Sequence, residues 1–217
     1  MIGCTACPRL IQYCRQVARE KRRMYQDWDY WGKPLPGFGD SEAELLLVGL
    51  APAAHGGNRT GRMFTGDRSG DFLYRALYEA GWANQPISRD RGDGLALRGC
   101  YITAGLRCAP PGNKPLPDEL RRCRHWLEAE IRLLKRVRAV LALGRVAFDA
   151  YLNIVYQPGS FPARGALRFA HGARFALPNG LPRLFASYHP SQQNTQTGRL
   201  TPEMMNRVLS DIRLFLA

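Results

Sequence analysis

Cysteine spacing is the first feature of this sequence that can support chemistry. Cys4 and Cys7 form a Cys-x-x-Cys pair near the N-terminus, and Cys108 and Cys123 lie 15 residues apart further along the chain. Four thiolates in this two-plus-one-plus-one arrangement can hold an iron-sulfur cluster or a zinc ion. The alternative interpretation is a chance Cys-x-x-Cys pair with buried free thiols.

The other two cysteines, Cys14 and Cys100, have no partner at metal-ligand spacing, so we interpret them as small core residues. Six cysteines are too few and too unevenly placed for a disulfide scaffold in a chain of 217 residues. The N-terminus has no basic region followed by an apolar one, so no secretory signal is visible. These features predict a reducing, cytoplasmic location.

A glycine-rich stretch and a histidine form the second group of candidate residues. Residues 49–67 lack both the Gly-Lys-Ser/Thr of a P-loop and the Gly-x-Gly-x-x-Gly of a dinucleotide fingerprint. Their backbone lets a planar ligand approach main-chain groups, and Phe64 is either a stacking face for that ligand or a core ring. His189 precedes Pro190, which favours an extended backbone, and is either a structural residue or a functional one.

The distribution of charge indicates what the protein binds. The chain carries 31 Lys+Arg against 18 Asp+Glu, a net charge of +13, and 27 of the basic residues are arginine. Genome base composition can also favour arginine over lysine, so the position of the charges carries more weight. Residues 150–202 contain no Asp or Glu but five arginines. A basic surface without carboxylates suits a polyphosphate, so nucleic acid is the predicted partner.

The order of the elements determines where these residues can meet. Apolar runs of strand length occupy residues 44–49, 100–104, 138–144 and 183–188. Helical patterns occupy residues 8–24, 71–80, 117–137, 145–155 and 202–216. Thr201 is placed to cap the last helix. Strands that alternate with helices predict an α/β fold with a mainly parallel sheet covered on both faces.

Ligands of such folds bind outside the carboxyl ends of the strands. Three stretches with candidate chemistry follow predicted strands, namely residues 49–67, 107–114 and 189–199. We predict one domain over residues 1–217, on which the N-terminal segment 1–40 packs. The longest apolar run has ten residues, against the roughly 18 needed to span a bilayer, so we expect no membrane-spanning segment.

Together these motifs resemble the family 5 uracil-DNA glycosylases over nearly the whole chain. The matching motifs, in order, are Cys4-x-x-Cys7, GLAPAAHGGNRTGRMFTGD at positions 49–67, CAPPGNKP at positions 108–115, Cys123, and HPSQQNTQTGR at positions 189–199. The resemblance implies a three-layer α/β/α fold around a four-stranded, mainly parallel sheet. It also implies a four-iron four-sulfur cluster bound by Cys4, Cys7, Cys108 and Cys123.

The activity implied by the resemblance is that of a monofunctional DNA glycosylase in base excision repair. Such an enzyme excises uracil from double-stranded DNA. We also expect it to excise hypoxanthine and other deaminated or damaged bases. We expect the protein to act as a monomer.

The resemblance further implies roles for individual residues. His189 looks like the donor to uracil O2, and Asp67 and Asn113 look like polar catalytic helpers. Ala51 stands where related glycosylases place an Asp or Asn to hold the attacking water, so this motif supplies no strong general base. The implied base-binding residues are Gly49, Leu50, Ala51, Ala53 and Phe64, and the implied DNA contacts are Arg59, Asn194, Gln196 and Arg199.

Two other classes of protein also fit the residues. A non-enzymatic, metal-stabilised DNA-binding protein would bind undamaged DNA tightly, contain zinc and release no base. An iron-sulfur redox protein would be reduced reversibly by a partner and would have no use for His189 or the glycine-rich stretch.

Overall fold

The computed structural model describes residues 1–217, with a six-stranded sheet at its centre. The strands are β1 (Phe38–Gly39), β2 (Leu45–Gly49), β3 (Cys100–Ala104), β4 (Ala139–Leu143), β5 (Arg174–Phe175) and β6 (Arg183–Ser187). Their spatial order is β1-β3-β2-β4-β6-β5. The four inner strands are parallel, as predicted, and the two-residue edge strands β1 and β5 pair antiparallel to them.

Seven helices surround the sheet: α1 (Pro8–Glu20), α2 (Gly57–Thr60), α3 (Arg68–Glu79), α4 (Pro117–Leu133), α5 (Arg145–Val155), α6 (Gln192–Gln196) and α7 (Pro202–Leu216). Buried residues of α3 and α7 cover one face of the sheet, and buried residues of α4 and α5 cover the other. The three-layer α/β/α prediction is therefore confirmed. No helix is both long and apolar enough to cross a bilayer.

The inner strands read as continuous apolar runs because both of their faces are covered. Leu45 and Leu47 of β2 belong to the core formed with α3 and α7. Leu46 and Val48 belong to the core formed with α4 and α5. Every residue of β2 and β4 is buried, so these two strands form the centre of the molecule.

Local capping explains where the helices begin and end. The predicted cap of α7 is confirmed, since the Thr201 hydroxyl accepts the Met204 N–H at 3.3 Å. Helix α3 begins three residues earlier than predicted because the Asp67 carboxylate accepts the Gly70 N–H at 3.0 Å. Helices α1 and α4 end four residues earlier than predicted, and α1 stops where Lys21 has a φ of 46°.

The loops after β2, β3 and β6 emerge at the carboxyl edge of the sheet. The chain leaves β2 towards β3 on one side and leaves β4 towards β6 on the other. Open α/β sheets form their ligand crevice where neighbouring connections diverge in this way. Helix α1 packs beside this region, with Leu10 and Cys14 buried against Leu106 and Ala109.

Candidate active site

One pocket of about 380 Å³ at the carboxyl edge brings together the predicted catalytic and base-binding residues, with the exception of Gly49. We refer to it as the base pocket. The loops after β2, β3 and β6 all contribute to it. Sequence reasoning missed four of its residues, although three of these lie inside the stretches singled out above. The lining residues are Leu50, Ala51, Ala53, Phe64, Asp67, Ser69, Gly112, Asn113, His189, Ser191 and Gln193.

Phe64 is both a core residue and a wall of the base pocket. Its side chain is 9% exposed, and its backbone has a φ of 52°, in the left-handed region that non-glycine residues rarely adopt. A Cβ on Gly49 would lie 2.7 Å from the Phe64 ring. A Cβ on Gly70 would overlap the Phe64 carbonyl. Glycine at these two positions therefore allows the ring to stand at the end of β2.

His189 follows β6, and its loop is held in place from two sides. The Asn194 side-chain amide donates to the His189 carbonyl at 2.8 Å. Gly144, at the end of β4, has a φ of 95° and a Cβ there would lie 3.2 Å from the His189 Cβ. The His189 and Phe64 ring centroids are 5.8 Å apart. Burial lowers the pKa of His189 to about 4, so at neutral pH its imidazole is uncharged and has one N–H to donate.

Asp67 lines the base pocket and also caps α3. Burial raises the pKa of its carboxyl, and the N–H groups of Gly70 and Ser69 oppose that shift. A Cβ on Gly56 would overlap the Asp67 carboxylate, so the backbone approaches it closely from the other side. Asn113 lies at the exposed rim with a φ of 57°. The pocket thus combines a neutral donor, a carboxylate and an aromatic wall.

The loop that carries Phe64 and Asp67, residues 50–67, is anchored by Arg62. All three guanidinium nitrogens of Arg62 have partners. Nη1 and Nη2 donate to the Asp93 carboxylate at 2.9 and 2.7 Å. Nη2 also donates to the Ser88 hydroxyl at 2.8 Å, and Nε donates to the Thr65 hydroxyl at 3.0 Å. Burial alone would raise the pKa of Asp93, but the Arg62 hydrogen bonds and nearby backbone N–H groups bring it to about 2.

The predicted DNA contact by Arg59 is wrong, because this side chain is only 3% exposed. Its guanidinium donates to the carbonyls of His55 and Gly66, both at 2.8 Å. It also lies 3.8 Å from the ring centroid of Tyr25 and 4.1 Å from that of Trp28. Arg59 therefore packs within the loop 50–67, and its Nη1 is buried without a hydrogen-bond partner.

The other predicted DNA contacts lie in and after α6. Gln196 and Arg199 are exposed, and the Arg199 guanidinium lies 4.6 Å from the ring centroid of Tyr188. The Asn194 side chain is engaged with its own loop, as described above. The exposed positions of Gln196 and Arg199 leave them free to contact a phosphate or a base.

Four cysteines line a second cavity, between α1, α4 and the loop after β3. We refer to it as the cysteine cavity. The four are those predicted as ligands, namely Cys4, Cys7, Cys108 and Cys123. No three cysteine, histidine or carboxylate side chains converge tightly enough to hold a single metal ion. The core positions predicted for Cys14 and Cys100 are confirmed, since both are 0% exposed.

Two side chains that line the cysteine cavity carry three donor atoms without acceptors. Arg107 is 1% exposed and donates through Nη2 to Glu130 at 2.6 Å, but its Nε and Nη1 have no partner. The indole nitrogen of Trp126 is also buried without a partner. A buried donor without an acceptor costs about 1 to 3 kcal/mol, so these groups need an explanation.

The parallel sheet, with an uncharged donor and a buried carboxylate at its carboxyl edge, places the protein among α/β enzymes that act on a planar ligand. Comparison of the sequence with known families shows to which family within this class the protein belongs. The profile of the uracil DNA glycosylase superfamily matches residues 36–213, and the chain belongs to that superfamily. As a member it is a glycosylase, an enzyme that hydrolyses an N-glycosidic bond.

Relatives match the chain almost from end to end. A type-5 uracil-DNA glycosylase of Mycobacterium leprae is 53% identical over 97% of this chain and 90% of the relative. The type-5 uracil-DNA glycosylase of Thermus thermophilus is 52% identical over 98% of this chain and 94% of the relative. The type-5 uracil-DNA glycosylase of Pyrobaculum aerophilum is 46% identical over 96% of this chain and 87% of the relative. The predicted resemblance to this family is confirmed.

Proposed function

We propose that the protein excises uracil from double-stranded DNA and leaves an abasic site without cutting the strand. The observation that carries this proposal is the assembly of His189, Asp67 and Phe64 around one pocket at the carboxyl edge. The membership of the chain in its superfamily supports the same activity.

Binding begins with the extrusion of the target nucleotide, because the glycosidic bond inside a duplex is inaccessible. Extrusion costs a few kcal/mol, least for a mispaired base such as uracil opposite guanine. Phe64 offers a face on which the extruded base can stack. The exposed Arg199 and Gln196, in and after the helix that follows His189, can hold the distorted strand.

His189 supplies the main stabilisation of the leaving base. Negative charge grows on the base, largely at O2, as the glycosidic bond breaks. An oriented donor at such an oxygen is worth about 2.7 to 4 kcal/mol of barrier. The uncharged imidazole of His189 is suited to this task because it only has to donate a hydrogen bond.

Asp67 acts on the sugar side of the bond. Its carboxylate stabilises the positive charge that develops on the sugar and orients the water that captures it. Bond cleavage that runs ahead of water attack needs little activation of the nucleophile. A carboxylate at the position of Ala51 is then dispensable, and Asn113 at the rim completes the polar surroundings.

The same chemistry predicts a range of substrates that includes hypoxanthine. The loop 50–67 presents mainly backbone groups and small side chains to the base, with Leu50, Ala51 and Ala53 among the lining residues. Such a surface excludes few planar bases by shape. Stabilisation of the leaving group serves any base that departs with negative charge.

We also propose that the four thiols of the cysteine cavity hold a four-iron four-sulfur cluster. A zinc ion needs its sulfur ligands about 3.8 Å apart, because each Zn–S bond is about 2.3 Å long. A cluster spreads its ligands over several iron atoms, which suits thiols that surround a space without converging on one point. The unpartnered donors of Arg107 and Trp126 suit an anionic occupant. As its ligands, Cys4, Cys7, Cys108 and Cys123 would link the N-terminal segment, the loop after β3 and α4.

A strand assay tests the activity. A labelled duplex with uracil opposite guanine is incubated with the protein and then treated with alkali, which cuts at abasic sites. We expect cleavage after alkali only, and the matching duplex with thymine opposite adenine serves as the control. Duplexes with hypoxanthine and the uracil single strand define the substrate range. Tight binding with no base release, by protein shown to be iron-loaded, would favour the DNA-binding alternative.

A further inference from the structure

The charge of Arg107 is only partly matched by the protein around it. Its side chain precedes Cys108, lines the cysteine cavity and is more deeply buried than any other arginine. Nη2 donates to Glu130, whereas Nε and Nη1 donate to nothing. A buried donor without a partner calls for an explanation, and an acceptor that the polypeptide itself does not supply is one such explanation.

Glu130 orients Arg107 but cannot supply the missing acceptors. Its carboxylate also accepts the Thr103 hydroxyl at 2.5 Å and the Gly37 N–H at 3.2 Å. One carboxylate thus serves donors from two segments of the chain, residues 101–107 and Gly37. The two remaining nitrogens of Arg107, a residue that lines the cavity, stay without a partner.

Trp126 adds an independent donor among the residues that line the cavity. It lies on α4, three residues after Cys123, and its indole nitrogen is buried without a partner. Apart from the four cysteines, the side chains that line this cavity are apolar or are donors themselves. Among the side chains of this cavity, only the cysteine sulfurs can therefore accept a hydrogen bond.

We propose that Arg107 and Trp126 donate N–H···S hydrogen bonds to the iron-sulfur cluster and its thiolates. Arg107 is the buried countercharge, and Glu130 is the residue that positions it. This inference rests on the cluster proposed above. Hydrogen bonds and charge near the sulfur atoms set both the retention and the reduction potential of such clusters. Positive charge favours the reduced, more negative state.

Two variants test the proposal on protein purified without oxygen. Trp126→Phe removes only the indole N–H and keeps an aromatic ring, whereas Arg107→Met removes the countercharge. We measure iron and sulfide content, the rate at which air bleaches the cluster absorbance, and the midpoint potential by voltammetry. We expect each variant to bleach about threefold faster or more, as loss of one hydrogen bond predicts, and to have a lower potential.

Controls separate this role from packing. Arg121→Met alters an exposed arginine of α4 and should bleach like the wild type. Arg107→Lys keeps the charge without the planar fork and should be intermediate. Unchanged bleaching and potential in iron-loaded Trp126→Phe and Arg107→Met would overturn the inference. If Arg107→Met does not fold, Trp126→Phe decides the question alone.

The outcome for the wild type separates this inference from the proposed activity. Wild-type protein without iron and sulfide would overturn the cluster and, with it, the roles of Arg107 and Trp126. Uracil excision is measured independently in the strand assay.

Discussion

Two buried arginines show how differently the base pocket and the cysteine cavity are built. Arg62, under the loop 50–67, has a protein partner for each of its nitrogens. Arg107, beside the cysteines, has a partner for one. Both side chains are nearly inaccessible to water. The charge of Arg62 is therefore met by the folded chain itself, whereas two nitrogens of Arg107 remain for the anionic group that we propose in the cysteine cavity.

The largest expected effect is the loss of stability when the hydrogen bonds of Arg62 are removed. Arg62→Met leaves Asp93 buried without its charge partner, which should lower the free energy of unfolding by about 3 to 5 kcal/mol. Urea denaturation of the iron-loaded and the iron-free protein measures this loss. We expect the same loss in both states, whereas the effect of Arg107→Met should depend on iron. The comparison would be contradicted if the loss of unfolding free energy depended on iron equally in the Arg62 and Arg107 variants.

The next effect concerns catalysis in the base pocket. His189→Ala removes the donor to the leaving base and should slow single-turnover uracil excision by about 100- to 1000-fold. Binding to an uncleaved duplex, measured by fluorescence anisotropy, should change little because His189 lies inside the pocket. An unchanged excision rate would refute the proposed role.

Acid should weaken the Arg62 network within a defined range of pH. The pKa of Asp93 is about 2 in the folded protein, against an ordinary value of 3.8. The unfolded chain therefore takes up this proton first as the pH falls. The contribution of Asp93 is complete above about pH 4 and is lost as the pH falls through 2, a change of about 2 kcal/mol. Asp93→Asn should remove this part of the pH dependence of unfolding.

The last prediction is that the rate of uracil excision shows no change due to His189 near neutral pH. An ordinary histidine titrates near pH 6.5, whereas the pKa of His189 is about 4 because burial disfavours the imidazolium. Single-turnover excision should therefore show no step assignable to His189 between pH 6 and pH 8. A step near pH 6.5 that disappears in His189→Ala would show that this histidine titrates in an open environment.

Predictions from sequence succeeded where the signal was local. The inner strands were found because burial on both faces produces uninterrupted apolar runs, as in β2 and β4. The edge strands β1 and β5 were missed because two residues leave no pattern. The early start of α3 was missed because Asp67 was interpreted by its chemistry alone, although an aspartate before a helical pattern is also a capping signal.

Residue types and their order along the chain were sufficient to predict the α/β fold, the family and most of the base pocket. Apolar runs, caps and long motifs are properties of neighbouring residues, so they can be read in one dimension. The partners of the arginines were not predictable in that way. Nothing in the sequence distinguishes Arg59, Arg62 and Arg107 from one another. In the structure, Arg59 packs against aromatic rings, Arg62 has a partner for every nitrogen, and Arg107 lines the cysteine cavity. Burial and pairing depend on segments distant in sequence, which only the packing of the folded chain brings together.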